Sequence, residues 1–392
     1  MNIIVMRKLF VIIILIFYNI FLFSQNVKYK NNLYSILSDN AVALKLYQVD
    51  KKDLFNETLS LDSVVIHKKK KYRVVKIEET AFKSNSPATL IHLNYIKRLI
   101  LPLTLCEISP NVFNESFNSL QEITIHRNTK VVGNNAFANM PSLTRIDVKG
   151  ISEINDWCFS LNPSLSFVLF DTCVNIIGKN AFFNCTRLNT VNLENVSFID
   201  EYAFEGTAIE ILNIKNCGII GEFAFANCRN INTVEFSNSL HRIGGFAFYN
   251  NTALKSLNIS SGIIGESAFM GCTSLTNVLL SDSVDSIAKA AFFGCTALND
   301  INIPSSITRI EAMTFMDCIN LNSVVLPDSL KYIGESAFAG SGLSEIVIPA
   351  SVSEIHNNAF VNCAKLKTVI ILSDNIKIGD SVFPENTNIL RK

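Results

Sequence analysis

The chain has 392 residues, 48% of them apolar and 17% charged, and its 34 Lys+Arg balance 34 Asp+Glu. That composition excludes intrinsic disorder and a strongly basic nucleic-acid binder, and it supplies apolar material for a large core. The aromatics are lopsided, with 28 Phe against one Trp, which asks for a positional cause.

Residues 1–24 read as a secretory signal: Arg7 and Lys8 form a basic start, an apolar run from Leu9 to Phe23 follows, and Ser24-Gln25 closes it. The run is short for a membrane span of about 20 residues, and an uncleaved anchor is the alternative. No membrane span is expected after signal removal. The near-neutral remainder has no electrostatic pull toward nucleic acid.

Residues 25–77 are expected to form an N-terminal β cap. Strand-like runs occur at Ala43–Tyr47, Ser63–Ile66 and Tyr72–Ile77, and the basic run Lys68 to Lys71 becomes a hairpin tip. A solvated turn explains those lysines; binding of a heparin-like or anionic surface is the competing reading. Ser84-Asn-Ser-Pro87 then reads as a surface insertion.

From residue 78 to 383 the chain repeats. Ala-Phe pairs and their equivalents place Phe at 82, 113, 137, 159, 182, 204, 225, 248, 269, 292, 315, 338, 360 and 383. After the first gap of 31, every step is 21 to 24 residues. Such a period builds a coil with one strand and one short return segment. A Leu follows each Phe by about six residues, as in Leu188, Leu275, Leu298 and Leu321, and alternating apolar residues come next, such as Val191/Leu193 and Val324/Leu326. Pro304, Pro327 and Pro349 end the strands because they lack an N–H for the ladder. Ile307 or Leu330, then Ile310 or Ile333, bring the chain back to the next Phe.

The predicted fold is therefore a repeat solenoid of the leucine-rich type: a right-handed coil with a parallel β-sheet on one face and about fourteen coils. Rungs about 4.8 Å apart would give a rod or shallow arc of roughly 60 Å, suited to macromolecular contact. Residues 384–392 form a C-terminal tail, which leaves the last coil with little cover.

The chemistry-bearing residues do not converge. Six of the ten cysteines, Cys185, Cys228, Cys272, Cys295, Cys318 and Cys363, lie three residues after a repeat Phe and form a ladder of small buried thiols. No C-x-x-C pair suggests zinc or redox chemistry. Stacked Cα atoms about 5 Å apart fall within disulfide range, so pairing among Cys272, Cys295 and Cys318 stays open, although parallel Cβ vectors favour free thiols. His67, His92, His126, His241 and His356 occupy unrelated repeat positions and read as scattered surface residues. Glu210, Glu235, Asp300 and Glu345 could face one another across coils as a glycosidase pair does, but on an open sheet they would be wet. Gly244-Gly245 and Ile333-Gly334 read as turns permitting positive φ and not as phosphate loops. Asn184-Cys-Thr186 and Asn258-Ile-Ser260 are sequons that matter only in a cell that glycosylates its exports. No catalytic, cofactor or metal site is expected.

The outward strand face is more informative. It is mostly polar, as in Thr190/Asn192, Thr233/Glu235, Ser256/Asn258 and Asp300/Asn302. Phe167, Leu169, Ile211, Leu279, Val325, Val347 and Ile370 break the pattern and are the candidate partner-binding residues, with simple β-propensity as the competing explanation.

The phrase IGxxAFxxCxxLxxVxLPxSL, carried by Ile287 to Ile307 and more loosely by other coils, resembles the BspA-type leucine-rich repeat family over roughly residues 78 to 383. The segments Tyr34–Asn40 and Val74–Ile77 also look like the leader that precedes such repeats. The resemblance implies a secreted or cell-surface protein of a host-associated bacterium or a protist, with adhesion to host matrix or plasma proteins known for some members. The chain departs from longer members in carrying no immunoglobulin-like, sorting or anchoring region after its repeats, so surface retention has no expected device. Three functions compete. The first is an exported, non-enzymatic module that binds an extracellular protein or glycan. The second is a scaffold built by weak self-association, and an enzyme comes last.

Overall fold

A phenyl ring cannot be enclosed by a single coil of 21 to 24 residues, because such a coil has no second layer of its own. Stacking neighbours supplies that layer. The computed structural model describes residues 26–50, 53–114 and 116–391, so the expected signal segment 1–24 lies outside the described residues. The chain divides into two compact units, residues up to 165 and residues from 166 onward.

The first unit opens with an antiparallel meander in which Asn26–Tyr29 pairs with Asn32–Ser38 and the latter with Ala41–Leu46. Val64–His67 and Lys70–Ile77 form the expected hairpin. Its tip is Lys68-Lys69, both at positive φ (49° and 67°), as a two-residue turn between twisted strands requires. Lys70–Ile77 then runs parallel to Ala41–Leu46 and to Glu107–Ile108, which starts a ladder continued by Val131–Val132. A second parallel ladder runs through Thr58–Ser60, Arg98–Ile100, Glu122–Ile125 and Arg145–Val148. Its first rung lies within the segment read as cap, so winding begins before the first repeat Phe.

Between Phe82 and Phe113 the expected surface insertion contains an α-helix, Pro87–Tyr95, which starts on its proline as helices tolerate. The helix buries Thr89, His92 and Leu93. His92 is 1% exposed, which corrects its reading as a surface histidine. Its Nδ1 lies 3.1 Å from the Leu54 carbonyl and its ring stacks on Tyr47 at 6.1 Å. Tyr47 in turn meets Phe82 at 5.8 Å, so the Phe column is covered by a tyrosine and a histidine where it begins. From there Phe82, Phe113, Phe137 and Phe159 follow at centroid spacings of 5.2, 4.8 and 5.4 Å.

The second unit repeats this plan. Phe182, Phe204, Phe225, Phe248 and Phe269 lie face to face at 5.1 to 5.4 Å. Phe292, Phe315, Phe338, Phe360 and Phe383 continue the column. The strand expected after a repeat Phe is present in all coils but one, as in Glu345–Ile348, Thr368–Ile371 and Asn388–Arg391, which pair in parallel. The segment after Phe315, which carries Val324 and Leu326, forms no strand. The return segment is itself a strand, which the sequence reading did not anticipate. Ile176–Ile177, Phe198–Ile199, Ile219–Ile220, Arg242–Ile243, Gly262–Ile264 and Val284–Ile287 form one parallel run. Arg309–Ile310, Tyr332–Ile333, Glu354–Ile355 and Lys377–Ile378 form another. Nearly every coil thus contributes one rung to a long ladder and one to a short ladder.

The turn carrying Ala-Phe closes the coil. The Phe N–H donates to the carbonyl before the next Phe, for example Phe204 to Ala224 and Phe315 to Ala337, both at 2.8 Å. The residues two before and two after Phe are left-handed, such as Asn180/Asn184, Ser267/Gly271 and Asn358/Asn362. This explains the Asn-rich composition, since Asn and Gly adopt positive φ at least cost. Gly244, Gly245 and Gly334 are not among the positive-φ residues, so their reading as positive-φ turns is corrected. A Cβ on Gly334 would stand 2.6 Å from the Ala312 nitrogen and one on Gly244 2.5 Å from the Gly221 carbonyl carbon; those glycines permit close approach of the coil before.

Phe292 is fully buried between two parallel rings. Replacing it with Ala is expected to cost about 3–5 kcal/mol in urea unfolding, and a loss below about 1 kcal/mol would contradict the stacked column.

Candidate functional site

The long ladder presents alternate residues outward, and burial follows the predicted register. In Ile211–Ile214, Asn277–Leu280 and Glu345–Ile348 the second and fourth residues are buried while Ile211, Leu279 and Val347 are exposed. Leu169 is also exposed, whereas Phe167 and Ile370 are half-buried. Val325 projects furthest, at 84% exposure.

Strand register decides which of these seven meet. Val347 lies opposite Ile370, and Ile370 opposite Leu390. Lys367 N–H donates to Ser344 O where Glu345 faces Thr368. The same bond from Ser344 N–H to Asn322 O places Val325 beside Val347. Val325, Val347, Ile370 and Leu390 therefore form one apolar row across four consecutive coils, of which the first, at Val325, has no strand. The row is about 14 Å long at the usual rung spacing. A polar row of Ser323, Glu345, Thr368 and Asn388 runs beside it.

The other candidates are not part of this row. Phe167 faces Thr190 and Ile211 faces Thr233, so each stands among polar neighbours. Leu279 is separated from Val325 by the rung that carries Asn302. Leu390 was missed because it lies in the segment read as tail; the adjacent apolar pair Ile389-Leu390 was its available signal.

Two polar face residues have structural work. Asn302 donates from Nδ2 to Leu280 O (2.6 Å) and accepts at Oδ1 from Leu280 N–H (2.8 Å), and Asn192 repeats the pair on Phe170 at 3.0 and 2.8 Å. Each amide stands in for a stretch of ladder where its own strand has only two residues.

Glu210, Glu235, Asp300 and Glu345 are exposed, and Glu235 pairs with Lys215 at 3.0 Å. His126 has its pKa lowered by partial burial and by Lys149. Among the described residues no group of three or more His, Cys, Asp or Glu is placed to hold a metal ion. The thiols of Cys228, Cys272, Cys295, Cys318 and Cys363 donate to Phe204, Phe248, Phe269, Phe292 and Phe338 carbonyls at 3.0 to 3.3 Å. Burial pushes the Cys272 and Cys318 thiols up to about 12, so they stay protonated as packed donors. Among the described residues no two cysteines form a disulfide, and Cys106 and Cys173 are the exposed ones.

A parallel solenoid with a 21- to 24-residue period, a Phe column and an open strand face defines a repeat protein of the leucine-rich class. The family model described as "BspA type Leucine rich repeat region" matches residues 48–174, 88–210, 152–263, 197–320 and 262–390, so the chain belongs to that family. A leucine-rich repeat protein from Bacteroides ovatus shares 24% identity and a TM-score of 0.61, covering 94% of this chain and 100% of that one. A leucine rich cell surface protein from Faecalibacterium prausnitzii shares 24% identity and a TM-score of 0.50, covering 88% and 94%. Comparison with curated proteins returned no match. No helix among the described residues is long and apolar enough to cross a membrane.

Two variants separate contact residues from structural ones. Val325→Ser is expected to change stability by less than about 0.5 kcal/mol, as an exposed substitution does. Asn302→Ala is expected to cost about 1–2 kcal/mol through its two hydrogen bonds. Urea midpoints measure both, and the reverse order would show the face to be misassigned.

Proposed function

We propose that the chain is an exported, non-enzymatic binding module that engages an extracellular protein or glycan, such as a host matrix protein, through the outward face of its long ladder. The observation that carries this reading is the row Val325, Val347, Ile370 and Leu390. It is a contiguous apolar strip on a mostly polar face, flanked by Ser323, Glu345, Thr368 and Asn388. Apolar anchors with an adaptable polar border are the usual composition of a protein contact. β-propensity alone explains single Val or Ile residues, but not their adjacency in one register over four consecutive coils. The signal-like start supports export, and the name of the Faecalibacterium prausnitzii protein of similar fold, a cell surface protein, agrees with that location.

The test is a panel of immobilised extracellular matrix proteins and glycans probed with the mature chain. Binding to at least one of them is expected to fall tenfold or more in the Val325→Ser/Val347→Ser double variant while the thermal midpoint is kept. Undiminished binding would remove the row from the function. Light scattering covers the scaffold reading: a mass that rises with concentration, and stops rising in the double variant, would assign the row to self-association.

A further inference from the structure

One junction in the second unit is held differently from the rest. Elsewhere in that unit the residue after the short-ladder Ile donates its N–H to the equivalent Ile of the coil before: Asp200 to Ile177, Gly221 to Ile199, Gly244 to Ile220, Gly265 to Ile243, Ala288 to Ile264, Gly334 to Ile310, His356 to Ile333 and Gly379 to Ile355, at 2.7 to 2.9 Å. The bond from Glu311 to Ile287 is absent, and the short ladder stops at Val284–Ile287 to restart at Arg309–Ile310. The long ladder lapses here too and for one junction further, since Asp300–Ile301 closes one sheet, 321–327 forms no strand and Glu345–Ile348 opens the next. An earlier lapse, between Thr190–Val191 and Ile211–Ile214, lies where the short ladder is intact through Phe198 and Ile219. The long ladder also lapses between Thr233–Phe236 and Ser256–Ile259, but there the short ladder is intact through Arg242 and Ile263. The Phe292–Phe315 spacing, 5.8 Å, is the widest in this unit's face-to-face column. A cavity of about 400 Å³ lies on the short-ladder side, lined by Asp285, Ala288, Lys289, Arg309 and Glu311 among others.

The cause is legible in one column of residues. In chain order the residues after the short-ladder Ile are Gly178, Asp200, Gly221, Gly244, Gly265, Ala288, Glu311, Gly334, His356 and Gly379. A Cβ at Gly221, Gly244, Gly265 or Gly334 would stand 2.5 to 2.6 Å from backbone of the preceding coil. Within this unit every side chain in the column has a glycine in the coil before it, with one exception. Glu311 follows Ala288, and that is the junction where the bond is missing. The pair in the first unit, Glu78 before the smaller Ser109, keeps its bond from Ser109 N–H to Ile77 O at 3.0 Å. Here two consecutive side chains, the second a long glutamate, coincide with the separation of the coils on this side. What still ties them is the Ala-Phe turn, through Ala290 to Ala312, Phe292 to Thr314 and Gly294 to Met316 at 2.9 to 3.0 Å, and the corner where Ser305 and Ser306 bond Asp282 and Val284.

We propose that the junction between the Phe292 and Phe315 coils is a built-in opening seam, at which the coils from residue 305 onward swing away from the rest of the unit and make Cys295 and Cys318 reachable as modification sites. Opening needs no ladder bond to break. It separates Phe292 from Phe315 and ruptures the Cys318 thiol's bond to the Phe292 carbonyl, 3.3 Å long, which crosses the seam. Cys228 and Cys272 lie under continuous short ladder and serve as internal references.

The experiment is pulse labelling of the native full chain with N-ethylmaleimide, read by peptide mass spectrometry at each cysteine. Cys318 is expected to label at least tenfold faster than Cys272 and Cys228, and ahead of Cys363, the buried thiol nearest the end of the described column. Glu311→Gly and, separately, Ala288→Gly are expected to restore the missing bond and bring Cys318 to the rate of Cys272. The second variant leaves the Arg309–Glu311 ion pair in place, so loss of that pair cannot account for the change. Equal rates at Cys318 and Cys272 overturn the seam, as does labelling of Cys363 before Cys318, which is fraying from the end. A fast Cys318 that neither glycine variant slows overturns the assigned cause.

Discussion

Burial of one benzyl group per coil is the constraint from which the rest of the molecule follows. A coil of 21 to 24 residues can surround a ring but cannot cover its two faces, so each Phe is dry only when the coils above and below are in place. Stability is then a chain of nearest-neighbour terms, and each coil depends on two junctions. This is why the first ring needs Tyr47 and His92 as a lid. The same requirement fixes the turn geometry. To hand the Phe N–H to the next coil, the chain enters and leaves the left-handed region within five residues, and Asn, Gly and Ser fill most of those positions. Tyr202, Phe223 and Phe246 are bulky residues in the same conformation, at φ of 54° to 57°. Their rings stack on one another at 4.8 Å, a contact that offsets part of the backbone strain.

Much of this was legible in the sequence. The Phe spacing gave the coil, and alternation after Leu gave the outward register that Ile211, Leu279 and Val347 keep. The hairpin at Lys68 followed from two strand-like runs around a basic tip. Other features were hidden for identifiable reasons. A two-residue strand such as Arg309–Ile310 has no periodicity to detect, so the second ladder was invisible. The helix Pro87–Tyr95 is apolar on more than one side, with Leu90 and Ile91 exposed and His92 buried, and it carries no amphipathic signal. The glycines were noticed but given the wrong physics, because a residue that needs positive φ and one that needs an absent Cβ look alike in a sequence.

The candidate face was half legible. Seven outward apolar residues were found, but which of them adjoin depends on pairing between coils, and that is a property of the folded ladder. Register gathers Val325, Val347 and Ile370 and adds Leu390, while Phe167, Leu169 and Ile211 are left among polar neighbours. Asn192 and Asn302, outward polar positions on this face, bond backwards to backbone and so are occupied.

The apolar row and the seam are adjacent, and that adjacency sets how they act on each other. Val325, Val347, Ile370 and Leu390 all lie beyond the Ala288/Glu311 step, while Leu279 and Asn302 lie before it or on its edge. A partner seated only on the row contacts coils that move together, so it has no differential affinity for the open or closed seam and shifts nothing. A partner broad enough to reach Leu279 as well spans the junction where both ladders lapse, and its affinity then differs between the two states. Because coupling in a solenoid passes only through nearest neighbours, such a partner acts on this one junction while the continuously laddered coils before it stay wound. The width of the bound surface, measured from Val325 toward Leu279, therefore determines whether binding is a passive contact or one that holds the solenoid shut.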